Sequence, residues 1–197
     1  MKNRAILLIS FLLLLNLIRC GCPEPSVFYY NWTGCEITYE KYVRHDDGTW
    51  TGAPTNQTTF QGPSFGLAIK LNMEVVSQSE TRLDFSNSAL ATSPCDPDTY
   101  SPKTKITNFT IYTLNDFDDG HLKDSDVTEY FLPAGFPEVF VLAYLNDSEF
   151  GLYKNLEYRL HETPTKGTVQ KFKIEFVLEN GNKVSIETKE VTLIAEK

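Results

Sequence analysis

The stretch Phe172-Lys173-Ile174-Glu175-Phe176-Val177-Leu178-Glu179-Asn180-Gly181-Asn182-Lys183-Val184-Ser185-Ile186 decides the fold of this 197-residue chain. Large apolar side chains fall at even numbers on the way out (Phe172, Ile174, Phe176, Leu178) and again on the way back (Val184, Ile186). A period of two is the mark of a strand with one buried face, and Asn-Gly between two such runs marks a hairpin. A two-residue loop would set Phe176 opposite Ser185, an inward side chain against an outward one. A three-residue loop, Glu179-Asn180-Gly181, sets Phe176 opposite Val184 and Ile174 opposite Ile186, with Gly181 in the left-handed position of a G1 bulge. The sequence therefore predicts the three-residue loop. Val191 and Leu193 are odd-numbered, so the inward face shifts and a bulge is expected within Glu187–Glu190.

The same pattern extends outward from the hairpin. Short runs rich in Val, Ile, Thr, Tyr and Phe alternate with turn residues, and no helical period emerges. Strands are expected at Val27–Trp32 and Glu36–Val43, joined by a turn at Thr33-Gly34. Further strands are expected at Gly66–Val76, Thr81–Phe85, Ile106–Leu114, Leu156–His161, Val169–Leu178 and Lys183–Ala195. The continuous apolar run Val139–Leu145 reads as a central buried strand. About nine strands with long loops predict an all-β chain, a single antiparallel β-sandwich of immunoglobulin-like form. The long loops are Arg44–Ser64, where Asp47-Gly48 fits a projecting hairpin, Ser86–Thr104 and Asn115–Pro137.

The N-terminal segment has a different character. Lys2 and Arg4 precede an apolar run from Ala5 to Ile18, too short to span a bilayer but suited to a secretory signal. Leu17-Ile18-Arg19-Cys20-Gly21-Cys22 then resembles a bacterial lipobox, with Arg19 departing from the small residue usual before the cysteine. Cys20 is the expected lipidation site, Cys22 is the fallback, and an unlipidated secreted protein is the plain alternative. The expected organisation is a signal peptide at 1–19, a proline-containing tether at 20–26 and one β-sandwich domain at 27–197. Loss of the three cations of residues 1–19 takes the formal charge from −8 to −11. So acidic a body disfavours a nucleic-acid partner. A lipid anchor implies a membrane partner and the cell envelope, at the outer membrane, with periplasmic or surface exposure left open.

Export implies an oxidising compartment. Cys35 and Cys95, both in the globular part, are the first pairing expected; Cys22–Cys35 and Cys22–Cys95 are the alternatives. The densest set of hard oxygen ligands is Asp116, Asp118 and Asp119, with His121, Asp124 and Asp126 following. An EF-hand loop counted from Asp116 fails, because Gly120 falls at position five and Val127 at position twelve. Asp116, Asp118 and His121 are thus weak metal candidates beside the simpler reading of a solvated loop with side chains bonding the backbone. His45, His121 and His161 lie in separate segments and no G-x-S-x-G elbow occurs. No catalytic residue and no cofactor is implied. Phe28, Tyr30 and Trp32 share one strand face, suited to core packing or to a glycan-stacking platform. The sequons at Asn31, Asn56, Asn108 and Asn146 carry no meaning in a bacterial host.

Lys105-Ile-Thr-Asn-Phe-Thr-Ile-Tyr-Thr-Leu-Asn-Asp-Phe-Asp118, followed by His121, Asp124-Ser125 and Tyr130-Phe131, resembles a family pattern. The pattern is a K-I-x-x-I-x-I strand, a D-F-D-x-x-H turn and a short segment ending in Phe. It is that of the uncharacterised Bacteroidetes lipoproteins grouped as domain of unknown function 5034. The Cys20-Gly-Cys22 start and the Asn180-Gly181 hairpin extend the resemblance over nearly the whole mature chain. It implies an exported, lipid-anchored β-sandwich and supplies no activity or substrate. It leaves Asp116, Phe117, Asp118 and His121 as either a structural turn or a site. Three functions are therefore expected in order: a non-catalytic envelope module binding a partner protein or glycan, a glycan-binding accessory lipoprotein of a surface uptake system, and a metal-assisted hydrolase.

Overall fold

A computed structural model describes residues 26–79, 98–134, 137, 140–147 and 154–195. The signal peptide, Cys20, Cys22, Cys95 and the strand expected at Thr81–Phe85 lie outside the described residues. The chain is almost all β, with its sheets packed face to face.

The largest sheet is built on β1 (Val27–Arg44), which pairs antiparallel with β2 (Trp50–Thr55) on one edge and β4 (Phe65–Gln78) on the other. It continues through β8 (Lys154–Leu160) to β7 (Phe131–Pro133), and β5 (Thr99–Pro102) runs parallel to the start of β1. A second sheet orders β11 (Lys183–Glu187), β10 (Phe172–Leu178) and β6 (Ile106–Thr113). A third, short sheet orders β3 (Thr59–Gln61), β12 (Val191–Ile194) and β9 (Val169–Gln170), with β3 and β12 parallel.

The terminal hairpin has the expected register: Ile174 pairs with Ile186 and Phe176 with Val184. The loop is Glu179–Gly181, closed by Leu178 N–H to Asn182 O at 2.8 Å, and Gly181 sits at φ +82°. The expected shift of face after Glu187 is present but exceeds a bulge. β11 ends at Glu187 and β12 begins at Val191 in another sheet. Thr188, 4% exposed, turns the corner: its N–H reaches Phe172 O and its Oγ accepts from Phe172 N–H. Lys171 breaks the partner strand at the same level, between β9 and β10, so the two-stranded ribbon passes from one sheet to the next as a unit.

Two strand assignments are corrected. Thr33-Gly34 makes no turn; β1 runs through it, with register shifts at Tyr29/Tyr30 and Trp32/Gly34. The second shift moves the inward face from Tyr30 and Trp32 to Cys35, Ile37 and Tyr39, which explains why the apolar parity changes without a break in the strand. The run at Val141–Leu145 is helical: α1 (Val141–Asn146) buries Val141 and Leu145, one turn apart, on the core. Asn146 ends the helix and docks it on β6, accepting from Ile106 N–H and donating to Ile106 O, both at 2.8 Å. An apolar run this short fits either period, and the helical one is the one that docks Asn146 on β6.

Aromatic contacts join the two larger sheets. Phe65 of β4 stacks on Phe172 of β10 at 6.0 Å, and Tyr158 of β8 on Phe109 of β6 at 5.1 Å. Phe60 of β3 and Leu193 of β12 close one end of this core. Each such side chain withdrawn from water contributes about 1.5–3 kcal/mol. Tyr30 and Trp32 pack in the core edge-on at 5.0 Å. Cys35 is buried among core side chains, and burial pushes its thiol up to about 11; its expected partner Cys95 lies outside the described residues. Among the described residues no helix is long and apolar enough to cross a membrane.

Candidate functional site

The Asp116–His121 segment leaves the end of β6 and folds back over the core. Phe117 is 1% exposed and packs on Tyr130 at 4.7 Å, which fixes the turn from below. Asp118 accepts at Oδ1 from the N–H groups of Gly120 (2.8 Å) and His121 (2.7 Å), a turn bonded through its own side chain. The same oxygen meets His121 Nδ1 at 2.9 Å, and Oδ2 accepts from the Tyr130 hydroxyl at 2.8 Å. Because an ionised carboxylate only accepts, Nδ1 carries the imidazole proton here and Nε2 faces outward. Burial works to raise the Asp118 carboxyl, but the bonds from Tyr130, His121 and Gly120 outweigh it and pull it to about 2. The same carboxylate, with burial second, pushes the Tyr130 phenol up to about 12.

The structure thus brings Asp118 and His121 together with Tyr130, which the sequence reading had not placed there. It separates Asp116, whose carboxylate accepts instead from Lys123 N–H at 3.0 Å. Glu129 lies 3.5 Å from His121 Nε2, and His161 stacks on Tyr130 at 6.2 Å while its Nε2 meets Glu129 O at 3.0 Å. Among the described residues, no three His, Cys, Asp or Glu side chains converge as metal ligands. The cluster can pin a turn. The group that His121 Nε2 faces is a carboxylate, not a hydroxyl it could activate.

A second place, on the opposite face of the large sheet, is built by β1, β2, β4 and β8. Tyr39 points into the core against Phe60 and Phe65, so Glu40 and Tyr42 belong partly to the outer face, yet they are only 5% and 3% exposed. They are covered because the strands beneath carry no side chain there. A Cβ on Gly66 would come within 2.2 Å of the Tyr42 ring, and one on Gly52 within 2.7 Å of that ring and 2.8 Å of Glu40 Oε2. Neither Glu40 Oε2 nor the Tyr42 hydroxyl has a well-formed hydrogen bond. Burial first, and the Glu40 carboxylate second, raise the Tyr42 phenol. Glu157 is raised too, by burial and then by Glu40.

Beside Tyr42 stands Trp50, with the Arg159 guanidinium 4.2 Å above its ring. Trp50 and Tyr42 are shared by two open depressions. One of about 490 Å³ is lined by Lys41, Arg44, Thr59 and Gln61 among others; one of about 240 Å³ is lined by Arg159, Leu132, Pro133 and Ala134. Sequence reading missed this place because its cations come from separate strands of an acidic chain. The signal available was the Asp47-Gly48 hairpin, which folds as expected and sets Trp50 opposite Arg44. The chain matches no protein-family model, no curated protein and no solved structure.

Proposed function

We propose that the protein is an exported, lipid-anchored envelope module that binds a partner or ligand without catalysis. The observation that carries the binding reading is the contrast between the two places just described. At Asp118 every strong group is satisfied from within the fold: the carboxylate takes four short contacts and is held near 2, far too acidic for a general base at neutral pH. At Trp50 two depressions open to solvent, one lined by Lys41 and Arg44 and one by Arg159, with Glu40 buried against Tyr42 between them. The Asp118 cluster, as a proposal, is a structural turn, and the metal-assisted hydrolase is the reading it favours least.

The anchor rests on Lys2, Arg4, the apolar run Ala5–Ile18 and Leu17-Ile18-Arg19-Cys20. Lipid at Cys20 would hold an acidic body at the membrane that its own surface charge would not seek. It would also place the chain with the envelope lipoproteins that its Lys105–Phe131 stretch resembles. Peptide mapping of the mature protein by mass spectrometry tests the anchor and the cysteines together. The expected result is an acylated chain beginning at Cys20 and a free Cys35. An unmodified chain beginning away from Cys20 and Cys22 removes the lipoprotein reading, and a Cys35–Cys95 peptide pair removes the free thiol. Retention of a partner from envelope extracts on the immobilised protein tests the binding reading.

A further inference from the structure

β1 begins where a tether from the membrane would end. Ser26, the residue before β1, lies six positions after Cys20. Fully extended, that length of chain reaches at most about 20 Å. An anchor at Cys20 therefore keeps the start of β1 close to the bilayer. β1 is 18 residues long, and Arg44, paired with Trp50, stands at its other end.

Three strand ends meet at the start of β1. Phe28 pairs with Gln78 of β4 and Tyr100 of β5, and Tyr29 pairs with Ser77 and Ser101. Val27–Asn31, Val75–Ser79 and Thr99–Pro102 hold no charged side chain, in a chain that is 22% charged. Tyr29, Val75 and Val76 are 37%, 43% and 40% exposed, and the stacked rings of Phe28 and Tyr100 are half-buried. Backbone donors at this end are already spent within the fold. Val27 N–H donates to Ser79 Oγ (3.1 Å), Ser79 N–H to Val27 O (2.8 Å) and Thr99 N–H to Ser26 O (3.0 Å). Glu74, Asp98 and Lys103 rim the end, and Asp98 is tied to Ser26 N–H at 3.0 Å. The opposite end differs: there the exposed Val43 sits among Lys41, Arg44, Asp46 and Asp47.

Exposed valines gain from an apolar neighbour, and tyrosine, with an apolar ring and a wet hydroxyl, suits the level of lipid headgroups. Strand ends without charges enter that layer without stripping water from ions, while the few rim charges can stay among the headgroups. The rest of the body, strongly acidic, gains nothing from the lipid surface. We infer that the end formed by β1, β4 and β5 is a membrane-contact surface, with Tyr29, Val75, Val76 and Tyr100 seated in the headgroup layer of the bilayer that holds Cys20. The inference rests on the reading of the chain as a lipid-anchored protein and adds which end of the sandwich meets the lipid. It leaves the Trp50 end, at the other end of β1, facing away from the membrane.

The test uses the full acylated protein in phosphatidylcholine vesicles whose lipids are brominated near the headgroup end of the acyl chain, a quencher of tryptophans at that depth. Tyr29→Trp and Val43→Trp place a new indole at exposed sites on the two ends of β1, and Val76→Trp repeats the first reading from β4. Mass spectrometry of the same samples reads the acyl group on Cys20. The added fluorescence of Tyr29→Trp and Val76→Trp should fall by about a third or more, and that of Val43→Trp should not change. Adding Val75→Glu to Tyr29→Trp should cut that quenching by about half or more with the acyl group still in place. Equal quenching at both ends, or none at the Tyr29 end of an acylated chain, overturns the inference and leaves the anchor standing. Cover of this end by residues 80–97 or by a second copy would give that second result. An unacylated chain removes the anchor reading and the inference together.

Discussion

Asp118 concentrates more bonds than any other side chain in the described structure's loops, and its protonation state follows from them. Its folded value, about 2, lies below the ordinary 3.8. The stabilisation it provides is therefore complete above about pH 4 and is lost as pH falls through about 2. Carboxyl NMR titration should give that low value, and Tyr130→Phe should move it back towards 3.8 by removing the Oδ2 bond. Asp118→Ala strips a capped turn of its acceptor and should cost about 1–3 kcal/mol in urea unfolding. An unchanged midpoint would mean that Phe117 alone holds the turn. The identity of this turn was legible in the sequence as Asp and Gly in a polar loop. Its partner Tyr130 was not, because twelve residues separate them and only the packing of Phe117 brings them together.

Among the elements, the terminal hairpin was the most legible, since parity across a turn leaves few registers that keep one face apolar. Gly181 makes that register possible, and at φ +82° an added Cβ would be strained. Gly181→Ala should lower stability by about 1–2 kcal/mol, read as a shift in thermal midpoint, while Asn180→Ala should cost less. The same parity logic misreads β1. Even-numbered Tyr30 and Trp32 and odd-numbered Cys35 and Ile37 look like two strands joined by a turn, yet a bulge at Trp32/Gly34 changes the parity just as well. It misreads α1 for another reason: five apolar residues cover both faces of a strand and all of one helical turn, so period carries no information there. What settles α1 is Asn146, whose amide imitates a strand partner for Ile106.

At the scale of the whole molecule, fold class followed from alternation, but the division into sheets did not. No local signal says that β11 and β12 part company at Thr188, or that β3 will lie parallel to β12. The surface around Trp50 was invisible for the same reason: Arg44, Trp50 and Arg159 come onto one sheet only after β1, β2 and β8 are assembled. That long-range assembly has a kinetic side. Thr59–Gln61 can pair only with Thr192–Ile194, so the Phe60–Leu193 corner closes when two remote parts of the chain meet. Topologies dominated by such pairings fold on a timescale of about milliseconds to seconds. Refolding followed by fluorescence should show one slow phase, and a chain cut after Glu190 should fail to reach the native signal. Until Val191–Ile194 seats between β3 and β9, that corner stays open and the sandwich unsealed.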